Sequence, residues 1–235
     1  MKKTLPAFLV LFFLSFSAQA QLLIVAIFGD QLNSGKIEFG LDGGYNRSWY
    51  FAREDSKGLN NFNLGFFFHV KVTENSTGFI STGVHVKSNV GASGMPTYSI
   101  GDPDFDDVYA EGELSTKVNV FYLPIMWQQR LGKIYVEGGI QPGMRYKAYD
   151  YFRVDDYGGE LEYKRDVRDD YTRLDFGMVG GMGYRLKNAP VSASVGLNFY
   201  QGVVDVYKPE TYNLKNSSLY VYARIPIGAG GSGEK

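Results

Sequence analysis

The stretch that decides the fold runs from Arg173 to Gly202 and reads RLDFGMVGGMGYRLKNAPVSASVGLNFYQG. Its apolar residues alternate with polar or glycine residues, first over residues 174–184 and again over 191–199. A period of two is the spacing of side chains on one face of a β-strand. Glycine weakens strands as well as helices. The pattern therefore predicts two strands whose polar face needs very small residues.

The same alternation continues in both directions from this stretch, and no helical period is sustained past residue 35. It predicts eight strands, each long enough to cross a bilayer, which takes about 9–11 residues when a strand is tilted. In the fourth strand both faces are apolar, and we choose Phe121, Leu123, Ile125 and Trp127 for the lipid side. The eight strands lie within residues 36–46, 61–72, 78–91, 117–130, 133–147, 173–186, 191–202 and 217–228.

The predicted connections alternate between long and short along the chain. This alternation is typical of outer-membrane barrels, which have tight periplasmic turns and larger outer loops. It places both termini on the periplasmic side. The short connections are Thr73–Thr77, Arg130–Lys133 and Leu186–Pro190, and the long ones are Asn46–Asn60, Gly91–Ser115, Lys147–Asp170 and Val204–Asn216.

These patterns predict an all-β fold, an eight-stranded antiparallel up-and-down transmembrane β-barrel. A barrel of this size has room only for packed side chains inside, so glycines such as Gly177 and Gly196 on the polar face leave space for large neighbours. A soluble lipocalin-like barrel, with the apolar faces inward, is the alternative fold. Aromatic residues near strand ends favour the membrane; they are Tyr45, Trp49, Trp127, Tyr135 and Tyr184.

The N-terminus resembles a secretory signal. Two lysines precede an apolar core, and Ala18-Gln19-Ala20 fits the small-residue cleavage pattern. We therefore expect a signal peptide over residues 1–20, an apolar lead-in (helix or plug) over 21–35, the barrel over 36–228 and a flexible tail over 229–235.

Composition excludes several classes of function. The net charge is −1 and no basic stripe is present, which argues against nucleic-acid binding. Without cysteine there are no disulfides, thiolate zinc sites or cysteine nucleophiles. Only His69 and His85 exist, and a turn near Asn75 sets His69 opposite Ser81, offset from His85. We therefore expect that the protein is not an enzyme and that it binds no cofactor.

Two groups of charged residues are candidate sites. The polar faces of the strands carry charges that we expect to pair inside the barrel as a lumenal network: Glu38, Asp42, Glu137, Arg145, Arg173, Asp175, Arg185 and Arg224. The second long loop carries only acids, which suits either a solvated loop or a weak calcium site. They are Asp102, Asp104, Asp106, Asp107, Glu111 and Glu113.

Several segments resemble the PorT-like, porin-family outer-membrane β-barrel proteins of Bacteroidetes-type bacteria. They are FGDQLNSGKIEFGLDGGYN, YLPIMWQQRLGKIYVEGGIQPGMR, RLDFGMVGGMGYRL, GLNFYQGVVDV and ARIPIGAG. The resemblance implies an eight-stranded barrel in the outer membrane of a Gram-negative bacterium, with no cofactor.

We expect a structural or interaction role at the cell envelope through the outer loops, with a filled lumen. Its partners would be outer-membrane lipid and an envelope or secretion-system protein or a surface glycan. A narrow porin-like transporter of small solutes and a membrane-embedded enzyme using loop or lumen carboxylates are the alternative functions.

Overall fold

The computed structural model describes residues 36–51, 53–74, 77–156, 159–189, 191–209 and 213–227. The predicted signal peptide, the apolar lead-in and the C-terminal tail lie outside the described residues. In the described part, no helix is long and apolar enough to span a bilayer.

Over the described residues, the chain forms eleven strands and two short helices. The strands are β1 (Ile37–Phe51), β2 (Lys57–Lys71), β3 (Gly78–Lys87), β4 (Asn89–Pro96), β5 (Glu113–Tyr122), β6 (Ile125–Leu131), β7 (Ile134–Asp156), β8 (Gly159–Asp166), β9 (Leu174–Arg185), β10 (Ser194–Gly202) and β11 (Lys215–Pro226). The helices are α1 (Pro103–Tyr109) between β4 and β5, and a single 3-10 turn (Arg168–Asp170) between β8 and β9.

The strands form one antiparallel sheet that closes into a ring. β1 pairs with β2 on one side and with β11 on the other, where the register runs from Gly40 opposite Pro226 to Phe51 opposite Lys215. β11 continues through β10 and β9 to β7, and β7 pairs with both β5 and β6. Closure leaves neither the first nor the last strand as an open edge, which is what a bilayer requires of a sheet. The predicted all-β barrel is confirmed.

Eleven strands appear where eight were predicted because two predicted strands are each interrupted once and a further strand, β8, forms within a predicted loop. Ser88 alone separates β3 from β4, and Leu123-Pro124 separates β5 from β6. Pro124 has no backbone donor, while its carbonyl oxygen accepts from the Thr82 hydroxyl at 2.8 Å. β8 and β9 both pair with β7 and are separated by residues 167–173. Hydrophobic alternation alone does not detect such breaks.

We call the two ends of the barrel the turn end and the loop end. The turn end holds the connections after β2, β6 and β9, and they are short, as predicted. The tightest is the pair Gly132-Lys133, where Gly132 has φ +67°, a conformation that favours glycine. The loop end differs from the prediction. The predicted loops over 46–60 and 147–170 are largely strand, because β1, β2 and β7 are longer than predicted and β8 pairs with β7.

The strands have apolar side chains facing outward and polar or charged side chains facing inward, which is the reverse of a soluble protein. The outward residues are exposed and apolar; Val195, Val221 and Ile225, for example, are 47%, 49% and 57% exposed. The inward residues include buried charges such as Asp42 and Arg224, at 1% and 3% exposed. This excludes the lipocalin-like alternative, which requires the opposite arrangement. The four chosen residues on the fourth predicted strand also point outward; Phe121, Leu123, Ile125 and Trp127 are 36–44% exposed.

The predicted aromatic residues divide between the two faces. Tyr45, Trp127 and Tyr184 are exposed on the outer wall, and Trp49 is half-buried with its ring 6.1 Å from that of Phe199. Tyr135 is only 1% exposed and points into the barrel, so its assignment to a membrane girdle was wrong. Its neighbours in sequence, Ile134 and Val136, face outward, and the parity of the strand places Tyr135 inside.

Inward glycines make room for the tyrosine rings of neighbouring strands. A Cβ on Gly183 would overlap the Tyr135 ring, and a Cβ on Gly196 would lie 2.5 Å from the Tyr222 ring. A tyrosine and the glycine beside it therefore share one layer of the interior. This explains the glycine content of the residues 173–202 stretch.

Above the charged interior, a small apolar core fills the loop end. It contains Val90, Met95, Leu114 and Phe152, among others. The helix α1 closes this core from outside, with the Phe105 ring 5.2 Å from the ring of Phe152.

Candidate functional site

The charged interior of the barrel is organised around Arg224 on β11. Its Nη1 donates to Glu137 Oε2 at 2.8 Å and its Nη2 to Glu137 Oε1 at 2.9 Å. Its Nε donates to Asp42 Oδ2 at 2.8 Å. All three side chains are buried. The two carboxylates carry one more charge than the guanidinium, and neutral side chains donate the remaining hydrogen bonds.

Glu137 accepts further hydrogen bonds from side chains on three strands, β6, β10 and β11. Its Oε1 accepts from Asn198 Nδ2 at 2.8 Å and from the Tyr222 hydroxyl at 2.9 Å. Its Oε2 accepts from Gln128 Nε2 at 3.0 Å. A buried carboxylate costs least when every lone pair is used in this way.

Towards the turn end, Glu38 forms a second charged group with Arg130. The Arg130 Nη1 and Nη2 atoms donate to the two Glu38 oxygens at 2.9 and 2.6 Å. His69 Nδ1 lies 2.9 Å from Glu38 Oε2. Gln128 joins this group to the first, because its Oε1 accepts from Arg130 Nε at 2.9 Å while its amide donates to Glu137.

The two histidines contact different carboxylates. His69 pairs with Ser81 in the sheet, as the turn near Asn75 predicted. His85 Nε2 lies 3.5 Å from Asp42 Oδ1, and Asp42 also accepts from the Tyr220 hydroxyl. In the described part of the chain, no three metal-ligating side chains converge.

Asp175 lies nearer the loop end, in a separate polar cluster with neutral partners. Its Oδ1 accepts from the Tyr200 hydroxyl at 2.8 Å. Its Oδ2 accepts from the Tyr122 hydroxyl at 2.5 Å and from Asn216 Nδ2 at 2.8 Å. No salt bridge to Asp175 is formed among the described residues.

The structure brings together five of the eight predicted lumenal charges and separates three. Glu38, Asp42, Glu137, Arg185 and Arg224 lie in the two linked groups; Arg185 Nη2 is 4.0 Å from Glu38 Oε1. Asp175 is buried elsewhere in the lumen. Arg145 is half-buried and donates to the Thr172 carbonyl oxygen at 2.9 Å. Arg173 is exposed. The predictions for Arg145 and Arg173 were wrong, because the strand faces shift at the irregularity near Arg145 and β9 begins only at Leu174.

Two members of the network were missed from the sequence. Gln128 and Arg130 follow Trp127, which the prediction had already placed on the lipid face. Strict alternation from Trp127 puts both of them on the inner face. The signal was therefore present, but the apolar residues on both sides of this strand obscured it.

Among the described residues, the side chains around Arg224 leave little free space in the lumen. The cavity beside Arg224, lined by Asn63, His85, Tyr122 and Tyr220 among others, measures about 20 Å³. A single water needs about 10–15 Å³ of such space. This part of the interior therefore has room for one water and for no larger solute.

The acidic loop forms a short helix where a loop was predicted. Asp102 caps α1 by accepting from the backbone N–H groups of Asp104 and Phe105 at 3.1 and 3.4 Å. Asp106 accepts from the Ile100 backbone N–H at 3.0 Å. Asp104 and Asp107 are exposed on α1, Glu111 is exposed after it, and Glu113 lies 3.4 Å from Lys57 Nζ. The acids thus cap the helix and face solvent, and they do not converge on one point.

Several solved structures resemble this chain at very low sequence identity. Ail, the attachment invasion locus protein of Yersinia pestis, is 9% identical, covers 81% of this chain and 98% of its own, and gives a TM-score of 0.44. Neisserial surface protein A is 8% identical, with coverage of 82% and 97% and a TM-score of 0.40. OprG from Pseudomonas aeruginosa is 11% identical, with coverage of 80% and 93% and a TM-score of 0.34.

No curated protein matches the sequence. A family model described as the outer membrane protein beta-barrel domain matches residues 19–208, which is well over half of the chain. The match agrees with the closed ring, the apolar outer wall and the charged interior. The chain therefore belongs to the outer membrane protein beta-barrel domain family and is a small β-barrel protein of the outer membrane.

Proposed function

We propose that this protein is a sealed barrel that acts at the cell envelope through the surface at its loop end, and that it conducts no solute. The observation that carries this proposal is the filled lumen. Arg224 on β11 is held by Asp42 on the neighbouring strand β1 and by Glu137 on the non-adjacent strand β7, with hydrogen bonds of 2.8–2.9 Å. The space beside them is about 20 Å³.

The loop end has the features of an interaction surface. β7 has 23 residues, about twice the 9–11 that a tilted strand needs to cross a bilayer. Together with β8 and α1 it forms a projection beyond the apolar band. Binding residues often lie on loops that such a scaffold holds in place. A surface glycan or an envelope protein, including one of a secretion system, is the kind of partner that we propose.

Electrical recording tests the sealed lumen. We expect the refolded protein in planar bilayers to show no stable conductance. A variant that removes the central bridge, Glu137→Ala with Arg224→Ala and Tyr222→Ala, should conduct if these side chains are what closes the barrel. Stable conductance by the unaltered protein would contradict the proposal and favour a narrow transporter.

We also propose that both termini are periplasmic, with a signal peptide cleaved after Ala20. The short turn end and the long loop end support this orientation, as does the pattern around Ala20. An epitope tag inserted at Gly159 should react with antibody on intact cells, whereas the same tag at Gly132 should react only after the outer membrane is permeabilised. The reverse labelling would invert the orientation. N-terminal sequencing of the mature protein tests the cleavage site.

Assignment to the PorT-like group of Bacteroidetes-type bacteria is part of the same proposal. The segments around Tyr122–Arg145 and Arg173–Leu186 support it. Affinity isolation from native membranes after cross-linking tests it, because a member with secretion-related work should retain envelope neighbours.

A further inference from the structure

We infer that a pocket at the loop end binds a single neutral sugar ring. This inference rests on the proposed function, because it names the class of ligand that the loop end would meet. The pocket has a volume of about 210 Å³ and lies between β4, β5, β7 and the side chains of Tyr207 and Leu214. Pockets for drug-sized ligands measure about 300–1,000 Å³, so this one suits one ring.

The floor of the pocket presents a buried carboxylate. Asp150 is 6% exposed and accepts from the Thr116 hydroxyl at 2.5 Å and from the Tyr98 hydroxyl at 2.8 Å. No basic side chain forms a salt bridge with it among the described residues. The two oxygens of a carboxylate offer about four acceptor sites, so Asp150 retains capacity for hydroxyl donors from a ligand.

The rim of the pocket carries groups of both signs and aromatic rings. Arg53 and Asp170 are half-buried at the rim, and Arg53 Nε is held by Asp55 at 2.8 Å. The rings of Tyr171 and Tyr207 lie 5.2 Å apart in an edge-on arrangement. Tyr98 is 39% exposed, so the pocket opens to solvent on that side.

The charges and rings that line the pocket indicate which class of ligand fits it. An anion would lie beside the carboxylates of Asp150 and Asp170. A cation would lie beside the guanidinium of Arg53. A sugar ring carries hydroxyls that both donate and accept, and its C–H faces pack on tyrosine rings and on apolar residues such as Leu214. A neutral polyol therefore complements both the charged groups and the tyrosine rings that line the pocket.

The test is titration of the full-length protein in detergent micelles with D-glucose, D-galactose, D-mannose and N-acetylglucosamine, followed by saturation-transfer NMR. For one small ring we expect a Kd on the order of millimolar for at least one of them. Asp150→Asn should weaken binding about tenfold or more, because it replaces a charged acceptor. Leu214→Trp should abolish binding by filling the pocket from its apolar wall.

Asp104→Asn is the matched control, since Asp104 is exposed on α1 and does not line the pocket. It should bind as the unaltered protein does. The shift between heated and unheated samples in gel electrophoresis verifies that each variant is folded. If Leu214→Trp fails to fold, Asp150→Asn and Tyr98→Phe carry the test.

Absence of binding for all four sugars would overturn the inference. Binding that survives both pocket variants would do the same. Preferential binding of tetramethylammonium or of inorganic sulfate, tested in the same way, would also overturn it by showing a cation or anion site. None of these results bears on conductance, so failure of the sugar site is distinguishable from failure of the sealed-barrel proposal.

Discussion

Arg224 on β11 reaches across the lumen to Glu137 on β7, and its two terminal nitrogens hold both carboxylate oxygens at 2.8 and 2.9 Å. The two strands are not neighbours in the sheet, since β10 and β9 lie between them. The ion pair therefore ties two sides of the ring together through its interior.

Arg224→Met should destabilise the barrel strongly, because it leaves Glu137 and Asp42 buried without their cation. Breaking a buried pair from one side costs about 3–5 kcal/mol. Urea unfolding in micelles, followed by the fluorescence of Trp49 and Trp127, measures the free energy of unfolding. Arg173→Met is the control, because Arg173 is exposed, and it should change this free energy little. Equal effects of the two variants would contradict the assignment of Arg224 as the central cation.

A lysine on the outer wall should be costly within the apolar band and harmless above it. Val221→Lys should destabilise by about 2–4 kcal/mol, the cost of a lysine near the bilayer midplane. Leu161→Lys on β8 is also an exposed apolar position, but it lies on the projection beyond the membrane, and we expect a change near zero. Unfolding in phospholipid bilayers checks both. If Val221→Lys left the free energy of unfolding unchanged, this wall would not face lipid.

Gly180 and Gly181 are adjacent and should respond oppositely to alanine. A Cβ on Gly181 would overlap the Leu197 carbonyl oxygen, so Gly181→Ala should cost about 1–3 kcal/mol by overpacking. A Cβ on Gly180 would have no atom nearer than 3.7 Å, and Gly180→Ala should be neutral or stabilise by about 0.4–1 kcal/mol. The same unfolding assay measures the pair. If both variants behaved alike, the alternation of β9 between lumen and lipid would be wrong.

Asp150 should make the barrel more stable as the pH falls. Burial raises the pKa of Asp150 above its ordinary value, although hydrogen bonds from Thr116 and Tyr98 act in the opposite direction. The folded state then binds the proton more readily than the unfolded state, whose aspartate pKa is about 3.9. The free energy of unfolding therefore increases as pH falls through the raised pKa, and the penalty returns above it.

The direction of this pH dependence is tested by measuring the free energy of unfolding of the unaltered protein and of Asp150→Asn from neutral pH down to the ordinary aspartate pKa. Above the raised pKa, Asp150→Asn removes a buried charge and should increase the free energy of unfolding. This difference should shrink as pH falls, because protonated aspartic acid is uncharged like asparagine. Thr116→Val removes one of the hydrogen bonds that lower the pKa of Asp150, so the window should move to higher pH. A stability difference that does not vary with pH, or that grows in acid, would contradict the prediction.

Period-two alternation was sufficient to predict the two faces of the strands within the membrane. Residues such as Val195 and Val221 had to be apolar outward, and Asp42 and Arg224 had to lie inward, because lipid and a packed lumen impose opposite demands on alternate positions. The register that sets His69 opposite Ser81 was predictable from one short turn.

Beyond the membrane, lipid no longer requires one face of each strand to be apolar. The sequence therefore predicted the secondary structure less well there. The hairpin of β7 and β8 carries residues such as Arg153 and Glu162 on its exposed face, so its composition resembles that of a loop. Helix α1 has only seven residues, too few for a helical period to be recognised. Arg173 was placed inside by extending an alternation that begins only one residue later.

The seam between β1 and β11 joins the first and last described strands. Ile37–Phe51 is synthesised before Lys215–Pro226, so the edge of β1 that pairs with β11 stays open until the later strand has been made. A chain truncated before β11 leaves backbone N–H and C=O groups of β1 and β10 unpaired. Hydrocarbon cannot form hydrogen bonds with these groups. We therefore expect a copy truncated before Lys215 to be unable to close the ring.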